Sequence, residues 1–266
     1  MKSAKELPLL DNEDGKELNM DALTTAAASG IRARIESLDM LANNLANASA
    51  AGFKSDSESY GLYLSPEAAD SPEGTTPAIL PVIQSRWTDF SQGVLLPTGN
   101  SMDLALNGKG FFVASTSSGP LYTRNGSFRL SGLGQLETLD GYSIQGTDGK
   151  PVVLDSSKTF EVTPEGTVLQ DAQQVSQIAV VDFEDPAVLT KRKGSYFKNN
   201  APSTSPAPAT QVDIRQGKLE STNSEAAHSA SRLVTIMRQF EALQKAMTIG
   251  ADMNRRAVED VAKIGS

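Results

Sequence analysis

The longest regular pattern in the chain lies near its C-terminus. Positions separated by alternating steps of three and four form a stripe there, mostly of apolar or small residues: Leu233, Ile236, Phe240, Leu243, Met247, Gly250, Asn254, Ala257, Val261 and Ile264. This spacing places the stripe on one face of a helix, and its persistence over several heptads favours packing against a partner helix. A helix over 224–263 is about 60 Å long, which is too long for a small globular core to cover.

A shorter stripe of the same kind lies near the N-terminus. Its members are Ala28, Ile31, Ile35, Leu38, Ala42 and Leu45, and they predict a helix over 21–48. We expect the two terminal helices to pair as a coiled-coil-like stalk. Apolar residues off the stripes, such as Leu41 and Met237, are then available to other partners.

Between the helices the pattern changes to short apolar runs separated by turn signals. The pairs Asn125-Gly126, Asp140-Gly141 and Asp148-Gly149 favour tight hairpin turns. They predict a central, mostly antiparallel β domain, so the expected fold class is α+β.

Six segments follow from these patterns. We predict a disordered extension over 1–19, the N-terminal helix with an asparagine-rich motif over 20–56, an extended linker over 57–97, the β domain over 98–198, a Pro/Ser-rich linker with a return strand over 199–220, and the C-terminal helix over 221–266.

Composition excludes several classes of protein. A formal net charge of -8 argues against binding to nucleic acid, and the basic run 191–193 is interpreted as a solvated turn. No apolar run approaches the roughly 20 residues that cross a bilayer, so membrane insertion is not expected. The absence of cysteine excludes disulfides and thiolate sites. The first residues lack the apolar core of a secretory signal, so we expect any export to occur without signal cleavage.

The search for catalytic residues finds little. His228 is the only histidine and cannot form a multi-histidine metal site. The glycines near 108–110 and 132–134 lack the context of phosphate loops, and no carboxylate spacing matches a metal loop. We therefore predict no catalytic, cofactor or metal site and no enzyme activity. Two alternatives stay open: an adhesin-like surface β protein with a coiled-coil stalk, and a hydrolase whose site spans the β domain.

The N-terminal helix ends in an unusual motif, "NNLANASAAGFKSD". Asn43, Asn44 and Asn47 can donate and accept hydrogen bonds without burying charge, so we expect them to contact neighbouring helices. The alternative is that they only cap and fray the helix end. Gly52 then allows the backbone to leave the helix in a conformation that other residues resist.

Four stretches together identify a family resemblance. They are "LANNLANASAAGFKSD" (41–56), "FSQGVLLPTGNSMDLALNGKGFFV" (90–113), "YTRNGSFRLSGLGQLETLDGYSIQG" (122–146) and "GKLESTNSEAAHSASRLVTIMRQFEALQKAM" (217–247). In this order they resemble the bacterial flagellar basal-body rod and hook family, from about Met20 to the end of the chain. The extension before Met20 is unusual for that family. Ser224, His228 and Ser229 stand where the family more often has an apolar residue and acids.

The resemblance implies a structural subunit that is exported through the flagellar type III apparatus without a cleaved signal. It implies helical polymerisation into the drive shaft that crosses the periplasm and transmits torque to the hook. Expected partners are copies of the chain, neighbouring rod and hook proteins, and the export apparatus. The stretches "MRQFEALQKAM" and "MNRRAVEDV" favour the proximal rod protein, with the distal rod protein as the alternative.

We expect one group of residues to form the assembly interface. Its members come from both terminal helices and the asparagine motif: Ile31, Ile35, Leu38, Leu41, Asn43, Asn44, Leu45, Asn47, Gly52, Phe53, Leu233, Ile236, Phe240, Leu243, Met247 and Asn254.

Overall fold

The computed structural model describes residues 22–64, 79–201 and 204–264. The extension predicted over 1–19 lies outside these ranges. Within them there are two α-helices, α1 (Ala22–Ala46) and α2 (Ala226–Ile264). A short 3₁₀ turn covers Pro186–Val188, where the Asp185 carboxylate accepts a hydrogen bond from the Ala187 backbone N–H.

In the described residues between the helices there are eighteen strands. Their bounds are β1 (Asp56–Leu64), β2 (Ile79–Thr88), β3 (Leu95–Pro97), β4 (Leu104–Gly108), β5 (Phe111–Thr116), β6 (Gly119–Thr123), β7 (Phe128–Leu130), β8 (Leu136–Thr138), β9 (Ser143–Ile144), β10 (Phe160–Val162), β11 (Thr167–Gln170), β12 (Gln173–Gln177), β13 (Val180–Asp182), β14 (Leu189–Lys191), β15 (Tyr196–Asn199), β16 (Ala207–Pro208), β17 (Val212–Gln216) and β18 (Lys218–Glu220). β1 and β2 occupy the part of the chain that the sequence predicts as a linker.

A nine-stranded sheet forms the largest layer. Its main path runs β14-β15-β6-β5-β9-β8-β7, with β13 pairing both β5 and β16. The ladders are antiparallel, as between β5 and β6, where Val113 faces Tyr122. Smaller sheets are formed by β1-β2, β10-β11-β12, β17-β4 and β18-β3. The late strands β17 and β18 therefore return to pair with strands that precede the large sheet.

Strand β5 has a hydrophobic core on each of its faces. Successive side chains of a strand point to opposite sides, so Phe112 and Ala114 join one cluster while Phe111 and Val113 join another. The first cluster also contains Leu104 and Leu106 of β4. Every one of these side chains is buried, because this segment is apolar at consecutive positions and not only at alternate ones.

The chain divides into two compact units. The first comprises the described residues of 1–35, 60–83 and 238–266, and the second comprises 36–59 and 84–237. In the first unit Gly30 of α1 lies against Leu243 of α2 and Pro81 of β2, since a Cβ atom at Gly30 would be 3.2 Å from Leu243 Cδ1 and 3.4 Å from Pro81 Cγ. The Ser29 hydroxyl also donates a hydrogen bond to the Pro81 carbonyl at 3.0 Å.

The predicted fold class is wrong. The described chain is predominantly β, with one helix at each end, and a coiled-coil stalk made of the two helices is not seen. Where the helices approach each other, at Gly30 and Leu243, a strand residue is the third participant. The apolar stripe of α1 is also largely uncovered, with Ile35 45% exposed. A three-four spacing identifies an apolar helix face, but it does not determine what covers that face.

Candidate assembly interface

Helix α1 has two contrasting faces. The face that the chain itself buries consists mainly of small residues and includes Ala27, Gly30, Ala33, Ser37, Met40 and Leu41. The predicted stripe lies beside it and points outward. Ile31 and Leu38 are half-buried there, while Ile35 and Leu45 are exposed. Ile35 and Leu45 therefore remain accessible to another molecule, and Ile31 and Leu38 are partly so.

The asparagines at the end of α1 have different surroundings. Asn44 is buried, and its amide donates to the Asp56 carbonyl at 2.8 Å while its carbonyl oxygen accepts from the Asp56 N–H at 3.0 Å. This pair of hydrogen bonds closes the loop between α1 and β1. Asn47 donates to the Asn43 carbonyl at 2.9 Å, which caps the helix end locally. The Asn43 side chain is exposed.

The turn after α1 requires glycine. Gly52 has φ of 64°, and a Cβ atom there would lie 2.3 Å from the Arg124 carbonyl carbon. Its N–H donates to the Glu220 carbonyl at 2.7 Å. Phe53 follows and is almost fully buried, with the Lys191 ammonium 4.4 Å from the centre of its ring. Gly52 and Phe53 thus fix the start of β1 on the β domain.

A buried charge network lies next to this turn. Lys54 Nζ is 2.6 Å from Glu220 Oε1, and Arg124 NH1 is 3.3 Å from Glu220 Oε2. The Gly93 N–H also donates to Glu220 Oε1, at 2.9 Å, and Lys54 donates to the Ser91 carbonyl. Burial lowers the pKa of both Lys54 and Arg124, and the Glu220 carboxylate opposes that shift. The network joins the segment after α1 to the strand before α2.

Sequence reasoning missed this network. No periodicity marks a lysine, an arginine and a glutamate that lie far apart in the chain. The available signal is that Lys54 follows the apolar Phe53 inside one of the stretches that carry the family resemblance, and that Arg124 and Glu220 lie inside two others.

The predicted stripe of α2 is its less exposed face. Ile236 is buried, and Leu233, Phe240, Leu243 and Met247 are half-buried. The structure gives no description of the Asn254 side chain. Another set of apolar residues on α2 is exposed, consisting of Val234, Met237, Ile249 and Met253. Each helix therefore presents apolar side chains that its own chain leaves uncovered.

The only histidine lies at the edge of a polar recess in the second unit. Ser55, Asn223, Ser224 and Arg232 line this recess with His228. The His228 side chain is exposed, and the Ser224 and Ser229 hydroxyls are 3.0 Å apart. Arg232 donates to Glu58 at 3.1 Å. The polar groups around the first turns of α2 are therefore engaged in structural contacts.

Two further properties concern ions and membranes. In the described ranges, no three His, Asp or Glu side chains are grouped closely enough to hold a metal ion. None of the described helices combines the length and the apolar character that a membrane span needs.

Comparison with known proteins places two segments of the chain in families. Residues 105–170 match the flagellar hook protein FlgE/F/G D1 domain, which here corresponds to strands β4 to β11. Residues 215–259 match the C-terminal region of the flagellar basal body rod FlgEFG proteins. The second match covers β18 and most of α2.

Relatives extend the similarity over most of the chain. The flagellar basal-body rod protein FlgF of Caulobacter vibrioides is 32% identical over 231 residues, which cover 85% of this chain and 92% of that protein. The flagellar basal-body rod protein FlgG of Agrobacterium fabrum is 28% identical over 249 residues, covering 85% of this chain and 94% of that protein. FlgF of Mesorhizobium japonicum is 28% identical, with coverages of 84% and 90%.

Proposed function

The chain belongs to the flagellar basal-body rod protein family, and we propose that it polymerises with its own copies and with neighbouring rod and hook proteins through the outward faces of its terminal helices. It is a structural subunit of the rod in the flagellar basal body. The observation that carries the proposal is the arrangement of α1, which buries a face of small residues and leaves Ile35 and Leu45 exposed.

The energetics favour covering this face. Complete burial of a fully exposed large aliphatic side chain contributes about 1.5–3 kcal/mol. Ile35 and Leu45 are partly exposed, so each contributes a fraction of that amount when a neighbour covers it, and the contribution is repeated in every subunit. Exposed apolar surface of this kind commonly marks an interaction site. A contact between two different faces of one subunit, repeated without closing into a ring, generates a helical filament.

The roles of the predicted interface residues differ under this proposal. Ile31, Ile35, Leu38 and Leu45 face neighbouring subunits, as do the exposed Asn43 and the helix-end Asn47. Leu41, Asn44, Gly52 and Phe53 instead hold α1 and the following turn in place. The half-buried stripe of α2 packs within the subunit, and its edge contacts neighbouring subunits. Asn254 remains a proposed interface residue.

A substitution in the exposed stripe tests the assembly proposal. Ile35→Asp introduces a carboxylate that is solvated in the free subunit but desolvated in a helix contact, which costs several kcal/mol. We expect the variant subunit to fold normally, with cells that build no rod beyond it and do not swim. Leu133→Asp is the matched control, because Leu133 is a large exposed apolar residue on a β-domain turn. Normal motility with Ile35→Asp contradicts the proposal.

Within the rod we assign the chain to the proximal segment. The support is the similarity of "MRQFEALQKAM" and "MNRRAVEDV" in α2 to proximal rod proteins. In this position the subunit is exported without a cleaved signal through the flagellar type III apparatus and forms part of the shaft that crosses the periplasm. A strain that lacks its distal rod protein separates the two positions. A proximal subunit is still found in basal bodies purified from that strain, whereas a distal one is missing.

We assign the chain no catalytic role and no nucleic-acid partner. The exposed His228 lies among polar groups that are engaged in structural contacts, and the net charge of -8 repels phosphate backbones. Purified basal bodies provide the check, because an adhesin or a separate hydrolase does not co-purify with them.

A further inference from the structure

A groove of about 750 Å³ lies in the second unit, beside the only tryptophan of the chain. We call it the Trp87 groove. Its walls come from α1, the ends of β1 and β2, and the segment 186–191. Met40, Trp87, Phe90 and Leu189 supply its apolar surface. Trp87 is 49% exposed. Tryptophan is enriched among the residues that contribute most to binding when an interface covers them, so this exposure points to an interaction site.

The charges around the Trp87 groove leave one carboxylate uncompensated. Arg86 pairs with Glu36, and Lys191 Nζ is 2.8 Å from Asp56 Oδ2. Asp39 is exposed and has no ion pair with any residue in the described ranges. The groove therefore combines an aromatic and aliphatic surface with a single free acid on its rim.

Helix α2 carries a stripe with the complementary character. Lys245, Ile249, Met253 and Arg256 follow steps of four, four and three, so they lie along one face of the helix. Ile249 is 51% and Met253 63% exposed. Lys245 and Arg256 flank the two apolar residues, and neither has an ion pair in the part of the chain that the structure describes. Each end of this face carries a cation, and the rim of the groove carries an unpaired carboxylate.

We propose that the Trp87 groove of one subunit receives the Ile249/Met253 stripe of α2 from a second copy, with Lys245 facing Asp39. The inference rests on the proposed function and assigns a specific site to one contact between subunits. An amphipathic helix commonly docks in an apolar groove through anchors one turn apart. The Met253 thioether is suited to contact with the Trp87 ring. Because a cation stands at each end of the stripe, charge favours the contact in either direction of the helix, and the proposal assigns Lys245 to Asp39.

Engineered cysteines test the contact directly, because the chain contains none of its own. One tagged copy carries Asp39→Cys and a differently tagged copy carries Lys245→Cys, and both are expressed together. Oxidation of purified basal bodies is expected to give a disulfide-linked dimer that contains both tags. The matched control combines Asp39→Cys with Leu133→Cys, at an exposed site elsewhere, in place of Lys245→Cys. We expect this combination to give no such dimer.

The outcomes separate this inference from the proposed function. If both cysteine variants enter basal bodies but form no mixed dimer, the groove contact is wrong while the rod assignment stands. If the chain is absent from basal bodies, the proposed function itself fails, and with it this inference.

The fluorescence of Trp87 gives a second measurement on the unmodified side chains. In purified protein that self-associates at high concentration, we expect the Trp87 emission to shift to shorter wavelength and to become less accessible to acrylamide. Ile249→Asp is expected to abolish the shift, and Leu133→Asp to preserve it. Association with unchanged emission overturns the contact.

Discussion

Lys54 and Glu220 are 166 positions apart in the chain, yet Lys54 Nζ lies 2.6 Å from Glu220 Oε1 and both side chains are fully buried. Lys54 follows the turn that ends α1, and Glu220 ends the strand that leads to α2. Arg124 of the β domain completes the network. A buried ionic network of this kind is costly to desolvate, but it tolerates few alternative arrangements. It therefore fixes where both helices leave the β domain.

The first prediction concerns this carboxylate. Glu220→Gln keeps the shape of the side chain but leaves the cations of Lys54 and Arg124 without a counter-charge in a buried site. We expect the free energy of unfolding to fall by about 3–5 kcal/mol, measured by urea denaturation. Asp213→Asn is the control, because it removes an exposed pair with Arg215 and should cost about 1 kcal/mol or less. Equal effects of the two substitutions contradict the structural role of the network.

The parts of the fold that depend on local sequence were predictable. The pair Asp140-Gly141 joins β8 to β9, which pair antiparallel, and Asp148-Gly149 lies between Gln145 and Pro151, which form an antiparallel bridge. Asn125-Gly126 instead connects β6 to β7, which pair with other strands and not with each other. The network of Lys54, Arg124 and Glu220 was not predictable, because its contacts join segments that no periodic pattern relates.

The faces of α1 show which part of the packing of this helix the sequence could predict. The spacing of Ile31, Ile35 and Leu38 correctly identifies an apolar stripe, but the subunit buries the neighbouring face around Gly30 and Ala33. Small residues permit close approach of the packed elements, so the bulkier stripe is left outside. Hydrophobicity alone cannot distinguish a face that is covered within the subunit from one that awaits a second molecule.

The second prediction concerns the turn at Gly52. Gly52→Ala forces an L residue to adopt a positive φ and brings its Cβ into the Arg124 backbone. We expect a loss of unfolding free energy of more than about 1–2 kcal/mol, measured by chemical denaturation. Gly99→Ala isolates the conformational part, because Gly99 has a similar φ of 72° and open space around its Cβ. If Gly52→Ala costs no more than Gly99→Ala, the close approach to Arg124 is not a constraint.

The third prediction concerns stability at alkaline pH. Burial raises the pKa of Tyr122 above its ordinary value of 10.0. The unfolded chain then releases this proton at a lower pH than the folded chain, so ionisation above about pH 10 favours unfolding. Relative to Tyr122→Phe, which retains the ring that packs on Phe183 at 4.9 Å, the natural chain should lose stability as the pH rises through this range. Denaturant titrations of both proteins from neutral pH to about pH 11 give the difference. A difference that is independent of pH contradicts the expectation.

The last prediction concerns the C-terminal limit of the β domain. Strand β4 pairs with β17 along its whole length, with Leu106 opposite Ile214, and Ile214 is buried in the first hydrophobic cluster. A fragment that ends before β17 loses the partner of β4 and exposes that cluster, as a fragment cut at the sequence-based boundary of 198 also does. We therefore expect a fragment of residues 89–217 to unfold cooperatively on heating, while one of residues 89–209 does not. The two fragments differ only by the eight residues 210–217, which contain β17. A cooperative melt of the shorter fragment at the same temperature contradicts the assignment, because β17 is then dispensable for the core.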